Sequence, residues 1–139
     1  VYKRQVYWYN GVIVSSEIAR GLDIFTLTPS EAISQNEIDA ALSVQMEQLN
    51  SQGQPIFEWP HTFALARAYL DQLERHQTMA GREIAAARTV LDGAEQASGN
   101  ARSEALSTLA ETLTAGAERS ADAKKVRALA DAVRGLALM

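Results

Sequence analysis

Leu22-Asp23-Ile24-Phe25-Thr26-Leu27-Thr28-Pro29, followed five residues later by Ser34-Gln35-Asn36-Glu37, marks the point where the chain changes character. The first run alternates as a strand does, with Leu22 and Ile24 directed to one face. Thr28-Pro29 ends it, because proline has no N–H to give to a sheet ladder. The second run is a capping box, in which the serine oxygen takes a free backbone N–H and the glutamate reaches back to the cap. From Glu31 onward β-branched clusters all but vanish and alanine becomes abundant. One stretch therefore separates a β region, residues 1–28, from a helical region, residues 29–139.

Upstream, Val6-Tyr7-Trp8-Tyr9 and Val12-Ile13-Val14 flank Asn10-Gly11. That dipeptide favours a two-residue hairpin turn in which both positions take positive φ. Residues 15–21 are expected to form a longer connection to the third strand. Alternation sends Tyr7 and Tyr9 to one face and Trp8 to the other, so both faces of the strand are apolar, as in a sheet covered on both sides.

Downstream, five amphipathic helices are expected. The first starts at the capping box and carries Ile38, Leu42 and Leu49, with Ala41 and Met46 alongside. The second runs over about 62–76 with Phe63, Ala66, Leu70 and Leu73 in a stripe. The third, about 82–97, places Ile84, Ala87, Leu91 and Ala94 inward, and Ser98-Gly99-Asn100 is expected to cap and turn it. The fourth, about 101–115, carries Leu106, Leu109 and Leu113 and is stopped by Gly116. The fifth is expected to be capped by Ser120 and repeats Val126, Leu129, Val133 and Leu136. Periodic apolar residues joined by short breaks are what a small helical bundle requires. The expected fold class is α+β and predominantly α: a three-stranded antiparallel meander followed by a five-helix, bundle-like tail.

The 139 residues form enough chain to bury a core, and 47% hydrophobic with 22% charged residues is ordinary for a globular protein. A net charge of −4 argues against a nucleic-acid partner, which selects a clustered basic surface. No apolar run approaches the ~20 residues needed to span a bilayer. With no cysteine in the chain, disulfides and thiolate chemistry are excluded. Serine-nucleophile, phosphate-loop and zinc-protease motifs are absent, so neither a catalytic nor a cofactor or metal site is assigned. His61 and His76 sit at helix ends without a ligand-spaced partner and are read as structural. Arg119, Lys124, Lys125 and Arg127 interleave with Glu118 and Asp122, which describes a solvated helix face.

One group stands out. Phe57, Trp59, Phe63 and Tyr69 bracket the entry to the second helix and form the candidate ligand or partner surface. The plainer reading makes them the anchor of an alanine-rich core, since aromatic side chains supply so much buried area.

The run Val12-Ile13-Val14-Ser15-Ser16-Glu17-Ile18-Ala19-Arg20-Gly21-Leu22-Asp23-Ile24-Phe25 resembles the blade ends of bacterial LVIVD-repeat β-propeller proteins. The arginine-glycine pair ahead of a hydrophobic strand carries the likeness, which covers about residues 6–28 and, more loosely, the tail through Leu73. The resemblance implies a secreted or cell-surface propeller of scaffold or interaction type and supplies no catalytic residues. It departs from the family in holding one partial blade, whereas a propeller needs several. Val1-Tyr2-Lys3-Arg4-Gln5 in turn resembles the translated end of a transposon adapter, so no function is placed on Lys3 or Arg4.

The expected function is a non-catalytic structural or interaction module of an extracytoplasmic bacterial β-propeller protein, partnered by upstream blades and by other surface proteins. Two alternatives stand beside it: a bundle that holds a small ligand in a pocket lined by Trp59, Phe63 and Tyr69, and an accessory part of an extracytoplasmic enzyme whose active site lies elsewhere.

Overall fold

In the computed structural model, residues 5–19, 21–53 and 56–139 are described. Val1–Arg4, Arg20 and Gln54-Pro55 lie outside the described residues, and with them most of the adapter-like stretch and the arginine of the blade-like motif.

Three strands, β1 (Val6–Tyr9), β2 (Val12–Glu17) and β3 (Gly21–Phe25), form an antiparallel meander in the order β1-β2-β3. At the first turn Asn10 and Gly11 take φ of 45° and 92°, the left-handed pair that a two-residue hairpin needs. The register sets Tyr7 opposite Val14 and Val14 opposite Ile24, with Trp8, Ile13 and Phe25 in the adjacent row. Tyr7, Val14, Ile24 and Leu22 therefore share one face, and Val6, Trp8, Ile13 and Phe25 share the other. The second connection is tighter than the sequence implies. Ser15, Ser16 and Glu17 continue β2 and pair with Asp23, Leu22 and Gly21, since serine keeps its backbone N–H and C=O free for a ladder that the partner strand completes.

Five helices follow: α1 (Gln35–Leu42), α2 (Phe63–Arg75), α3 (Gly81–Gln96), α4 (Gly99–Gly116) and α5 (Ala123–Ala137). The fold is thus the mostly helical α+β arrangement expected. The capping box is present in full: the Ser34 hydroxyl accepts from the Glu37 N–H, and the Glu37 carboxylate accepts from the Ser34 N–H. Thr62 caps α2 by accepting from the Leu65 N–H at 3.0 Å.

The principal core is built by α2 to α5. Leu70, Leu73, Ile84, Leu91, Leu106, Leu129 and Val133 are essentially inaccessible to solvent, with Ala66, Ala87, Ala94, Ala110 and Ala130 between them. The alanines let helices approach closely, and the leucines fill the space this leaves. α5 packs against α2 and α4, while α3 packs against α2 and α4. A second, smaller cluster joins Ala40 of α1 to Leu65 and Ala68 of α2 and Ala132 of α5. α1 is thus an outer helix, which buries Ile38 and Ala40 on its inner side.

Several boundaries differ from the sequence reading. α1 stops at Leu42, short of the Met46 and Leu49 expected on it, because the backbone of Met46 bonds elsewhere: its N–H donates to Asn10 Oδ1 and its C=O accepts from Asn10 Nδ2, both at 2.8 Å. Val44 is buried in place of Leu49, which is only half-buried. Ser98-Gly99-Asn100 opens α4, where Ser98 is the N-cap, and does not close α3; only Ala97 and Ser98 separate the two helices. After Gly116 a 3-10 turn, Ala117–Arg119, carries the chain on. Asp122, not Ser120, caps α5 by accepting from the Lys125 N–H. Ser120 is used in a long-range contact, donating its hydroxyl to the Thr78 carbonyl at 2.6 Å.

Candidate functional site

Among the described side chains of the sheet none is buried. Val6, Leu22, Ile24 and Phe25 are each 52–62% exposed, and the register distributes them over both faces, Leu22 and Ile24 on one and Val6 and Phe25 on the other. Each outer strand, β1 and β3, is paired only with β2 among the described residues. Natural edge strands are usually blunted by lysine, proline or bulges. β1 has no charged residue or proline, and β3 carries only Asp23.

The hairpin tip fixes this sheet to the rest of the chain. Besides the paired bonds from Asn10 to Met46, the Tyr9 hydroxyl donates to the Glu47 carbonyl at 3.0 Å. Gly11 lies against Leu42, where an added β-carbon would come within 2.6 Å of the leucine Cδ2, so the glycine serves both its positive φ and this close approach. The sheet is therefore held at one end, and its faces project from the bundle without being part of its core.

The four aromatic residues singled out from the sequence separate into two pairs. Phe63 and Tyr69, both on α2, are half-buried and pack against the core. Burial pushes the Tyr69 hydroxyl pKa upward. Phe63 lies beneath two guanidinium groups, those of Arg67 at 5.7 Å and Arg102 at 5.1 Å from the ring centroid. Arg67 is in turn held by Asp92 and Glu95, both at 2.7 Å, so this ring sits in a polar, helix-bridging cluster. Phe57 and Trp59 stay on the surface, 37% and 45% exposed, in a coil with the almost fully exposed Ile56. They do not anchor the core. The reason is visible at α2: Leu65, Ala66, Ala68, Leu70 and Leu73 already fill its inward face, and the loop before Thr62 has no share in it.

The structure does contain a ligand-sized cavity, but it lies away from all four aromatics. A half-open groove of about 590 Å³ runs between α3 and α4, floored by Leu109, Leu113 and Val126. Sequence periodicity could not have shown it, because the groove comes from what the facing positions lack: Ala86 on α3 and Ala101 and Ala105 on α4 leave volume that larger side chains would fill.

The strongest electrostatic contacts join helices. Arg75 on α2 holds Glu37 on α1 at 2.6 Å, and Arg88 on α3 reaches both Asp71 and Glu74 on α2 at 2.7 Å. The Arg75 guanidinium, with further help from the Ser34 N–H, holds the Glu37 carboxyl down at about 2. These groups face partners and not a cavity, which describes structural clamps. Among the described residues no three His, Cys, Asp or Glu side chains cluster as a metal site would require, and no helix is long and apolar enough to cross a membrane.

No family model matches the chain, and searches of curated proteins and of solved structures gave no match.

Proposed function

We propose that this chain is a non-catalytic interaction module whose small sheet is completed by further β-strands, with the helical bundle as the rigid body that carries it. The observation behind this reading is the sheet itself: apolar side chains exposed on both faces, and two outer strands whose one charged residue is Asp23. A three-stranded sheet is marginal alone in water. Exposed apolar surface of this kind ordinarily marks an interaction site. Strand addition supplies main-chain hydrogen bonds along the edge, and the rows Tyr7-Val14-Ile24 and Trp8-Ile13-Phe25 supply side-chain contacts above and below it.

The partner we favour is the rest of a β-propeller, in keeping with the LVIVD-like pattern of residues 12–25. In that setting the meander is the end of a blade, its faces are covered by neighbouring blades, and the protein works as a scaffold at the bacterial cell surface or in the extracytoplasmic space. The genomic sequence upstream of Val6 tests this directly. An open frame with repeated strand units and a signal peptide supports it; a stop codon or an unrelated domain immediately before Val6 overturns it.

A further inference from the structure

We infer that the groove between α3 and α4 is a binding site for an elongated apolar small molecule with a cationic end. This inference does not depend on what completes the sheet.

The groove follows α4 from Ala101 to Gly116, which at 1.5 Å per residue is about 22 Å of helix. A half-open groove of about 590 Å³ along that length has room for an alkyl chain or a narrow ring system laid beside α4. The volume also falls within the ~300–1,000 Å³ typical of small-molecule sites.

The walls fit such an occupant. Leu109 and Leu113 form an apolar floor, with Ala86, Val90 and Ala105 as small apolar walls. An apolar chain laid here exchanges water for hydrocarbon contact along its whole length. Polar groups are confined to the ends and rim. At one end Arg119 is matched by Glu83 at 3.5 Å. Toward the other, one turn into α4, Glu104 lines the groove and has no ion-pair or hydrogen-bond partner among the described residues. With two glutamates and one arginine the lining carries a formal net charge of −1, and the uncompensated charge sits at a known end. That favours a ligand whose apolar body is followed by an amine or quaternary ammonium group, and disfavours a fatty-acid-like carboxylate.

Isothermal titration of the 139-residue protein with dodecylamine and with dodecanoate, each below its micellar concentration, tests the inference, because the two probes share a chain and differ in the sign of the end group. The expected result is saturable one-to-one binding of dodecylamine, at least about three-fold tighter than dodecanoate, a ratio set by one exposed charge. Glu104→Gln should erase most of that ratio while leaving chain binding in place. Thr108→Trp, at an exposed groove-lining position, and separately Ala105→Phe should each weaken dodecylamine at least ten-fold with unchanged circular dichroism. The absence of saturable binding by either probe, tighter binding of dodecanoate, or unaltered binding in both bulky variants overturns the inference. So does a concentration-dependent dimer that Thr108→Trp dissociates, which would identify a second copy of the chain as the occupant.

Discussion

Arg75 grips Glu37 with two parallel hydrogen bonds, Nη1 to Oε2 at 2.9 Å and Nη2 to Oε1 at 2.6 Å, while the same carboxylate accepts from the Ser34 N–H at 2.7 Å. One side chain thus completes the cap of α1 and ties that helix to α2. It adds to the burial of Ile38 and Ala40 and to the hydrogen bond from Asn36 to Asp71, which also hold α1 in place.

That double role has a pH signature. Glu37 is held at about 2 against an ordinary 4.5, and its side chain is only 10% exposed. A group with a lowered folded-state pKa stabilises above its unfolded value and loses that contribution as pH falls through the folded one. Shifts of this size correspond to roughly 3 kcal/mol, which screening at the surface reduces to about 2 kcal/mol. The wild-type protein should therefore lose stability between about pH 4.5 and pH 2 by that amount more than Glu37→Gln does. Chemical denaturation of both proteins from pH 2 to pH 7 checks it: the curves should differ at neutral pH and converge near pH 2.

His61 leans on α5 at Gly135. A β-carbon at that glycine would fall inside van der Waals distance of three atoms of the imidazole ring. In an ordinary helix interior glycine to alanine gains about 1 kcal/mol. Here Gly135→Ala should destabilise instead, and Gly135→Ala combined with His61→Ala should recover the gain. A double-mutant cycle on melting temperature measures the coupling, and strict additivity would show that the ring simply moves aside.

The link from Asn10 to Met46 should govern the sheet without governing the bundle. Asn10→Gly keeps the left-handed turn but removes both side-chain bonds, worth about 1 kcal/mol each. The Met46 amide should then lose its protection from hydrogen exchange while the core amides of α2 and α5 keep theirs.

Packing sets a sharp contrast between the two regions. Leu70 is fully buried and Ile24 is 62% exposed. Leu70→Ala should cost about 2–5 kcal/mol, and Leu70→Asp should abolish folding through an unpaired buried charge. Ile24→Ala should stay within about 0.5 kcal/mol. Equilibrium denaturation of the two alanine variants checks the difference, and a large loss at Ile24 would show that the sheet face is covered by something already present in the chain.

What the sequence determined by itself was local. Asn10-Gly11 dictated a turn through its tolerance of positive φ, Ser34 and Glu37 dictated a helix start through their own side-chain geometry, and the recurrence of Leu70-Leu73, Leu106-Leu109-Leu113 and Val126-Leu129-Val133 dictated which faces turn inward. Each of these needs partners only a few residues away. The tertiary structure decided the rest. α1 ends early because a side chain 36 residues upstream takes the backbone of Met46. Ser120 leaves its cap because Thr78 lies within reach of its hydroxyl. Phe57 and Trp59 stay exposed because α2 had filled its inward face without them, and the groove opens where alanines on α3 and α4 face each other. Periodicity reports which side of a helix is apolar. It carries no information on which long-range partner competes for a backbone group, or on how much space two apolar faces leave between them once they meet.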